Sequence, residues 1–113
     1  MAVAALPHFE QVLTPLAATV AAGSPAVCSS SAACDLIDSV ELMRRLAAVA
    51  AVDVLHQIVE SRAHYEHGHA TARIMYAHIA DVSSAESHRL DKIRRMTNVC
   101  DDINEVWRAG GLS

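Results

Sequence analysis

The sequence predicts an all-α protein: a small helical bundle, or a long helical hairpin, of three to five helices with a central apolar helix. Three observations predict this fold class. Apolar residues recur at steps of three and four rather than in alternation over most of the chain. Helix-start patterns of the forms D-x-x-E and S-x-x-E precede two of these stretches. The four glycines lie at the predicted ends of helices rather than inside them.

Composition sets the size and character of the core. The 113 residues form one domain with one modest core. Hydrophobic residues make up 52% of the chain but aromatic residues only 4%, so Ala, Val, Leu, Ile and Met must fill that core. Charged residues, at 19%, are fewer than the usual quarter. We therefore expect neighbouring helices to cover part of the helical surface.

The chain divides into three predicted segments. Residues 1–22 form an N-terminal helix with apolar residues on one face, and Pro15 either kinks it or starts a new helix. Residues 23–34 are small and polar and form a flexible Ser/Ala linker with weak order. Residues 35–110 form the helical core.

The central helix of this core begins near Asp35–Ser39 and continues to the neighbourhood of Gly68. It carries two apolar lines. The first line is Val40, Met43, Leu46, Ala47, Ala50, Val54 and Ile58, and the second is Leu42, Val49, Val52, Leu55 and Val59. A helix that is apolar on most of its circumference is normally buried by several neighbours, and we expect this one to be.

Two further helical segments follow. Residues 70–81 form a third segment, and a last helix starts after Ser83, where Ser83 and Glu86 match a capping box. This pattern favours a break at residues 81–84 over one long helix. The last helix ends at Gly110-Gly111. Its apolar positions are Ile93, Met96, Val99, Cys100, Ile103, Val106 and Trp107.

Charge distribution excludes several classes of protein. The formal net charge is −4, and all nine basic residues follow residue 43. An N-terminus without basic residues matches neither a mitochondrial presequence nor a secretory signal. No apolar run approaches the roughly 18 residues of a membrane span. The balance of charge also disfavours nucleic-acid binding, which needs a net basic face.

The three cysteines, Cys28, Cys34 and Cys100, are an odd number without a secretory signal, which predicts free thiols. We expect Cys100, on the apolar line of the last helix, to be an inert core thiol. The expected location is therefore the cytoplasm or another reducing intracellular compartment.

No motif identifies a reaction. The serines lack a Gly-x-Ser-x-Gly context, and no glycine-rich phosphate loop is present. We therefore expect a protein that is not an enzyme and has no cofactor. An enzyme with an active site built from dispersed residues remains the third hypothesis.

Histidines at residues 64, 67 and 69 give the alternative hypothesis, a helical protein that binds a divalent transition metal. His64 and His67 share a helix face, and imidazoles at such spacing bind zinc, nickel or copper. Glu60 lies about 10 Å from His67 along the axis, so one ion cannot use all of these groups. The competing interpretation of His64, His67 and His69 is a solvated helix end.

The leading function is a non-enzymatic interaction or scaffold protein, either self-assembling or a small subunit of a larger complex. Its partner is then another protein or a second copy of the chain, through a helix–helix interface on the last helix, whose apolar seam suits a bundle better than a two-stranded coiled coil. We place Trp107 there because it lies near the chain end, where the helix containing Phe9, the hinge near Gly68 or a second subunit must cover it. The predicted interface residues are Ile93, Met96, Ile103, Val106 and Trp107.

Overall fold

The computed structural model describes residues 8–111, and this part of the chain is all-α with no strand. Residues 8–111 contain six helices, which confirms the predicted fold class but exceeds the three to five helices predicted. They are α1 (Glu10–Ala21), α2 (Ser30–Ser61), α3 (Ala63–Glu66), α4 (Ala72–Ala80), α5 (Ser84–Val99) and α6 (Asp101–Arg108).

Two unpredicted breaks account for the larger number of helices. Arg62 adopts a left-handed backbone conformation, with φ of 58°, and ends α2 well before Gly68. Cys100 is extended, with φ of −135° and ψ of 106°, and separates α5 from α6. The expectation of one continuous last helix from residue 83 to residue 110 is therefore wrong. Cys100 is partly exposed at this break rather than buried in the core, although all three cysteines are free thiols as predicted.

The start of α2 also differs from the prediction. The helix begins at Ser30 rather than near Asp35, because the Ser29 side chain accepts a hydrogen bond from the Ala32 amide at 3.1 Å. A serine oxygen in this position satisfies one of the free N–H groups of a helix start. Residues 30–34 of the predicted flexible linker are thus helical, and only residues 23–29 of that linker lie outside a helix.

The predicted break after residue 80 is confirmed. Asp81 adopts a left-handed conformation, with φ of 54°, and the Ser83 side chain accepts a hydrogen bond from the Glu86 amide at 3.0 Å. Thr71 caps α4 in the same way by accepting from the Ile74 amide at 3.1 Å, a cap that sequence analysis missed. These two caps stabilise the starts of α4 and α5.

The chain divides between Cys34 and Asp35 into two compact units. In the first unit, no residue of α1 is buried. In the second unit, α2 packs against the three helices that follow α3. Leu55 of α2 is only 1% exposed, and burial of such a side chain contributes about 1.5–3 kcal/mol. The apolar core consists of Val49, Val52, Leu55, Ala72, Leu90 and Trp107.

Polar contacts also link the end of the second unit to α2. Arg108 donates two hydrogen bonds to the Asp53 carboxylate, at 2.9 and 2.5 Å. Both side chains are about half exposed, so this pair contributes at most about 1 kcal/mol. Gly110 lies so close to α2 that a Cβ atom there would come within 2.7 Å of Leu42 Cδ1. Among residues 8–111, no helix combines the length and apolar character needed to cross a membrane.

Candidate functional site

Five residues of the first apolar line of α2 form a partly exposed face on the second unit, whereas Ile58 of the same line packs against the core. At about 100° per residue, the five positions lie roughly opposite Val49, Val52 and Leu55, which are buried. Val40 is 58% exposed and Val54 39% exposed. The expectation that several neighbours bury α2 is therefore wrong for this face. We call it the outward stripe, and it consists of Val40, Met43, Ala47, Ala50 and Val54.

The spacing and size of these side chains suit contact with another helix. The five positions follow steps of three and four, which is the a/d pattern of a coiled coil. Ala47 and Ala50 in the middle are small and allow a second backbone to approach closely, while Val40 and Val54 supply apolar contact at the two ends. Helices pair at interaxial distances of 8–10 Å when their side chains interdigitate in this way.

Charged residues flank the outward stripe, but their charges are already paired within the chain. On one flank, Arg44 donates hydrogen bonds to the Glu41 carboxylate and lowers the pKa of Glu41 below 4.5. On the other flank, Asp53 accepts from Arg108. These two ion pairs neutralise the charges nearest to the middle of the stripe, so apolar contact provides the attraction for a helix that docks there.

The first unit presents a second apolar surface. All large apolar side chains of α1 are exposed, although the helix is regular apart from Pro15. Thr19 donates a hydrogen bond to the Pro15 carbonyl at 2.9 Å. The exposed apolar residues at the start of the helix and along it are Phe9, Val12, Leu13, Leu16 and Val20.

The five residues of the interface predicted on the last helix differ in their exposure. Trp107 is only 4% exposed and belongs to the same buried cluster as Val49 and Val52 of α2. The inference that a second subunit, Phe9 or the hinge near Gly68 must cover it is therefore wrong, because α2 does so within the chain. Ile93 and Ile103 are half-buried, whereas Met96 and Val106 are exposed.

The break at Cys100 interrupts the continuous apolar line on which that interface prediction depended. Met96 lies before the break and Val106 after it, on two separate helices. Their role as contact residues remains a prediction, although no unbroken helix connects them.

The predicted histidine cluster is also divided. His64 is 7% exposed, its ring packs on Tyr65 with centroids 4.1 Å apart, and its Nδ1 has no hydrogen-bond partner in the described part of the chain. The interpretation of a solvated helix end is therefore wrong for His64 and fits only the exposed His67. Residues 8–111 contain no group of three or more His, Cys, Asp or Glu side chains placed to hold one metal ion.

His69 instead lies between two other histidines. Its Nδ1 is 3.2 Å from His67 Nδ1, and its Nε2 is 3.0 Å from His78 Nδ1. Partial burial lowers the pKa of His69 below 6.5, and the neighbouring histidines lower it further. We call His67, His69 and His78 the histidine chain. Sequence analysis missed His78 because it belongs to α4, nine residues after His69. Their spacing along the chain does not indicate that the two rings lie close together.

A polar pocket of about 130 Å³ lies between α2, α5 and α6. Its charged groups are engaged in ion pairs: Asp53 with Arg108, and Arg94 with Asp91 at 3.0 Å. Paired groups of this kind hold helices together and are poorly placed to act as an acid and a base. The lining residues are Val52, Asp53, His56, Arg94, Thr97, Asn98, Asn104 and Arg108.

Comparison of the chain with protein-family models, curated proteins and solved structures finds no match.

Proposed function

We propose that this chain is a non-enzymatic helical interaction protein that self-associates through the outward stripe of α2. The observation that supports the proposal is an apolar a/d line on the face of α2 opposite its core contacts. A helix normally exposes its polar face, so two apolar faces on one helix favour contact with a second helix. If the chain is a small subunit of a larger complex, the same face is where a helix of that complex docks.

The exposed area predicts weak association between two copies. Complete burial of an exposed Val or Met side chain contributes about 1.5–3 kcal/mol. Val40, Met43 and Val54 are about half exposed, so each gains about 1 kcal/mol, or about 6 kcal/mol for both copies. Dissociation constants of 1 mM and 1 μM correspond to about 4.1 and 8.2 kcal/mol. Because side-chain ordering and the loss of translational and rotational freedom offset much of this gain, we expect weak association, with a dissociation constant near 1 mM.

The test compares variants that make the same chemical change on different surfaces. Val40→Glu places a charge in the outward stripe, whereas Val27→Glu makes the same change at an exposed position of the first unit. Met96→Glu tests the face that the sequence predicted. Sedimentation velocity from about 5 μM to 1 mM should show concentration-dependent association of the wild type and Val27→Glu. Val40→Glu should remain monomeric with unchanged helix content.

Three results would overturn this proposal. The first is a wild-type chain that remains monomeric over the whole range. The second is a Val40→Glu variant that associates as the wild type does. The third is association abolished by Met96→Glu alone, which would move the contact to the C-terminal helices.

A further inference from the structure

Two histidine nitrogens lie at a separation that fits one metal ion. Tetrahedral zinc with Zn–N bonds of 2.0–2.1 Å holds two nitrogen ligands about 3.3 Å apart. His67 Nδ1 and His69 Nδ1 are 3.2 Å apart. The pair lies at the corner between α3 and α4, where His67 is exposed to solvent.

We propose that His67 and His69 form a two-nitrogen chelate for a divalent transition-metal ion, and that His78 positions His69 as a ligand. This inference is independent of the proposed self-association. Imidazole nitrogen suits zinc, copper and nickel, and water can complete the coordination of an exposed site. The site differs from the one that the sequence predicted, because His64 is excluded and His78 is included.

The contacts of His69 explain why His78 does not serve as a third ligand. A neutral imidazole has one N–H and one free lone pair. When His69 donates its Nε2–H to His78 Nδ1, 3.0 Å away, its Nδ1 lone pair is left facing His67. Metal-bound histidines commonly donate their other N–H to a neighbouring acceptor, which fixes the tautomer and the ring orientation. His78 is therefore a positioning residue.

Zinc titration of the full chain, purified without a histidine tag, tests this assignment. Competition with a chromophoric chelator should show one Zn²⁺ ion per chain. His67→Ala and His69→Ala should each weaken binding at least about tenfold, and His78→Ala should weaken it by roughly 10–100-fold. His88→Ala, at an exposed histidine of α5, is the matched control and should bind as the wild type does.

Nitrogen-15 spectra of the wild-type imidazoles give a measurement that needs no variant. Added Zn²⁺ should shift the Nδ1 signals of His67 and His69, with the Nε2 proton of His69 retained. Three results would overturn the proposal: no zinc binding at millimolar concentration, equal affinity in His69→Ala and His88→Ala, or direct coordination by His64.

Discussion

Replacement of Trp107 by alanine tests the packing of α6 on α2. A packed indole buries about 150–250 Å². At about 25 cal/mol per Å², that area is worth roughly 4–6 kcal/mol. Alanine retains a small part of it, and large-to-small replacements of buried tryptophan lower stability by about 3–5 kcal/mol. Because the side chain is 4% exposed within a single chain, we expect this full loss without a change of oligomeric state.

Thermal unfolding followed by circular dichroism measures the effect. For a unit of this size, 1 kcal/mol shifts Tm by about 4–8 °C, so Trp107→Ala should lower Tm by at least about 12 °C. Val106→Ala is the matched control, because Val106 is the preceding residue of α6 and is about half exposed. It should change stability by less than about 1 kcal/mol.

The packing argument is refuted if the two variants melt at the same temperature. It is also refuted if Trp107→Ala shifts the chain from oligomer to monomer while Tm stays constant. That second result would restore the interface on the last helix that the sequence predicted.

The remaining predictions concern a cap, a glycine and a phenol. Ser83→Ala removes the N-cap of α5 and should lower the free energy of unfolding by about 1 kcal/mol in urea titrations. Ser84→Ala is its control, and equal effects of the two would contradict the cap. Gly110→Ala should destabilise more than Gly23→Ala, since both residues have positive φ, near 80°, but only Gly110 has a side chain of α2 in the way. Equal losses would place the chain end away from α2. Burial raises the pKa of Tyr76 above 10.0, so its absorbance should titrate late and unfolding should become easier as pH rises past 10. Titration of Tyr76 at or below pH 10.0 would refute this.

Local signals in the sequence predicted part of the fold. The cap at Ser83 and the end of the last helix at Gly110 were predictable because one side chain or one backbone conformation decides each of them. The burial of Val49, Val52 and Leu55 followed from their shared helical face. These features depend on residues within two turns of one another.

The breaks at Arg62 and Cys100 could not be predicted in this way. Arginine favours helix and rarely adopts a left-handed conformation, so nothing in its neighbourhood indicates that α2 ends there. Cys100 continues an apolar pattern that fits one unbroken helix. The start at Ser30 was missed because consecutive serines are equally typical of linkers and of helix caps.

The candidate surfaces could not be fully predicted either, because they depend on contacts between residues that are distant along the chain. Both apolar lines of α2 were visible in the sequence, but which residues of each line are covered depends on the packing of α4, α5 and α6. Ile58 of the first line packs against the core, and Leu42 of the second is exposed. The position of Trp107 depends on the same contacts. His78 reaches His69 only through the turn between α3 and α4, and spacing along the chain does not describe that turn.

The proposed self-association places a second copy of the chain against the outward stripe of α2. Amide chemical shifts of the labelled wild-type chain, recorded from about 20 μM to 1 mM, report this contact residue by residue. We expect concentration-dependent shifts centred on residues 40–54, with little change around Met96 and Val106. Shifts confined to the last two helices, or none at any concentration, would contradict it.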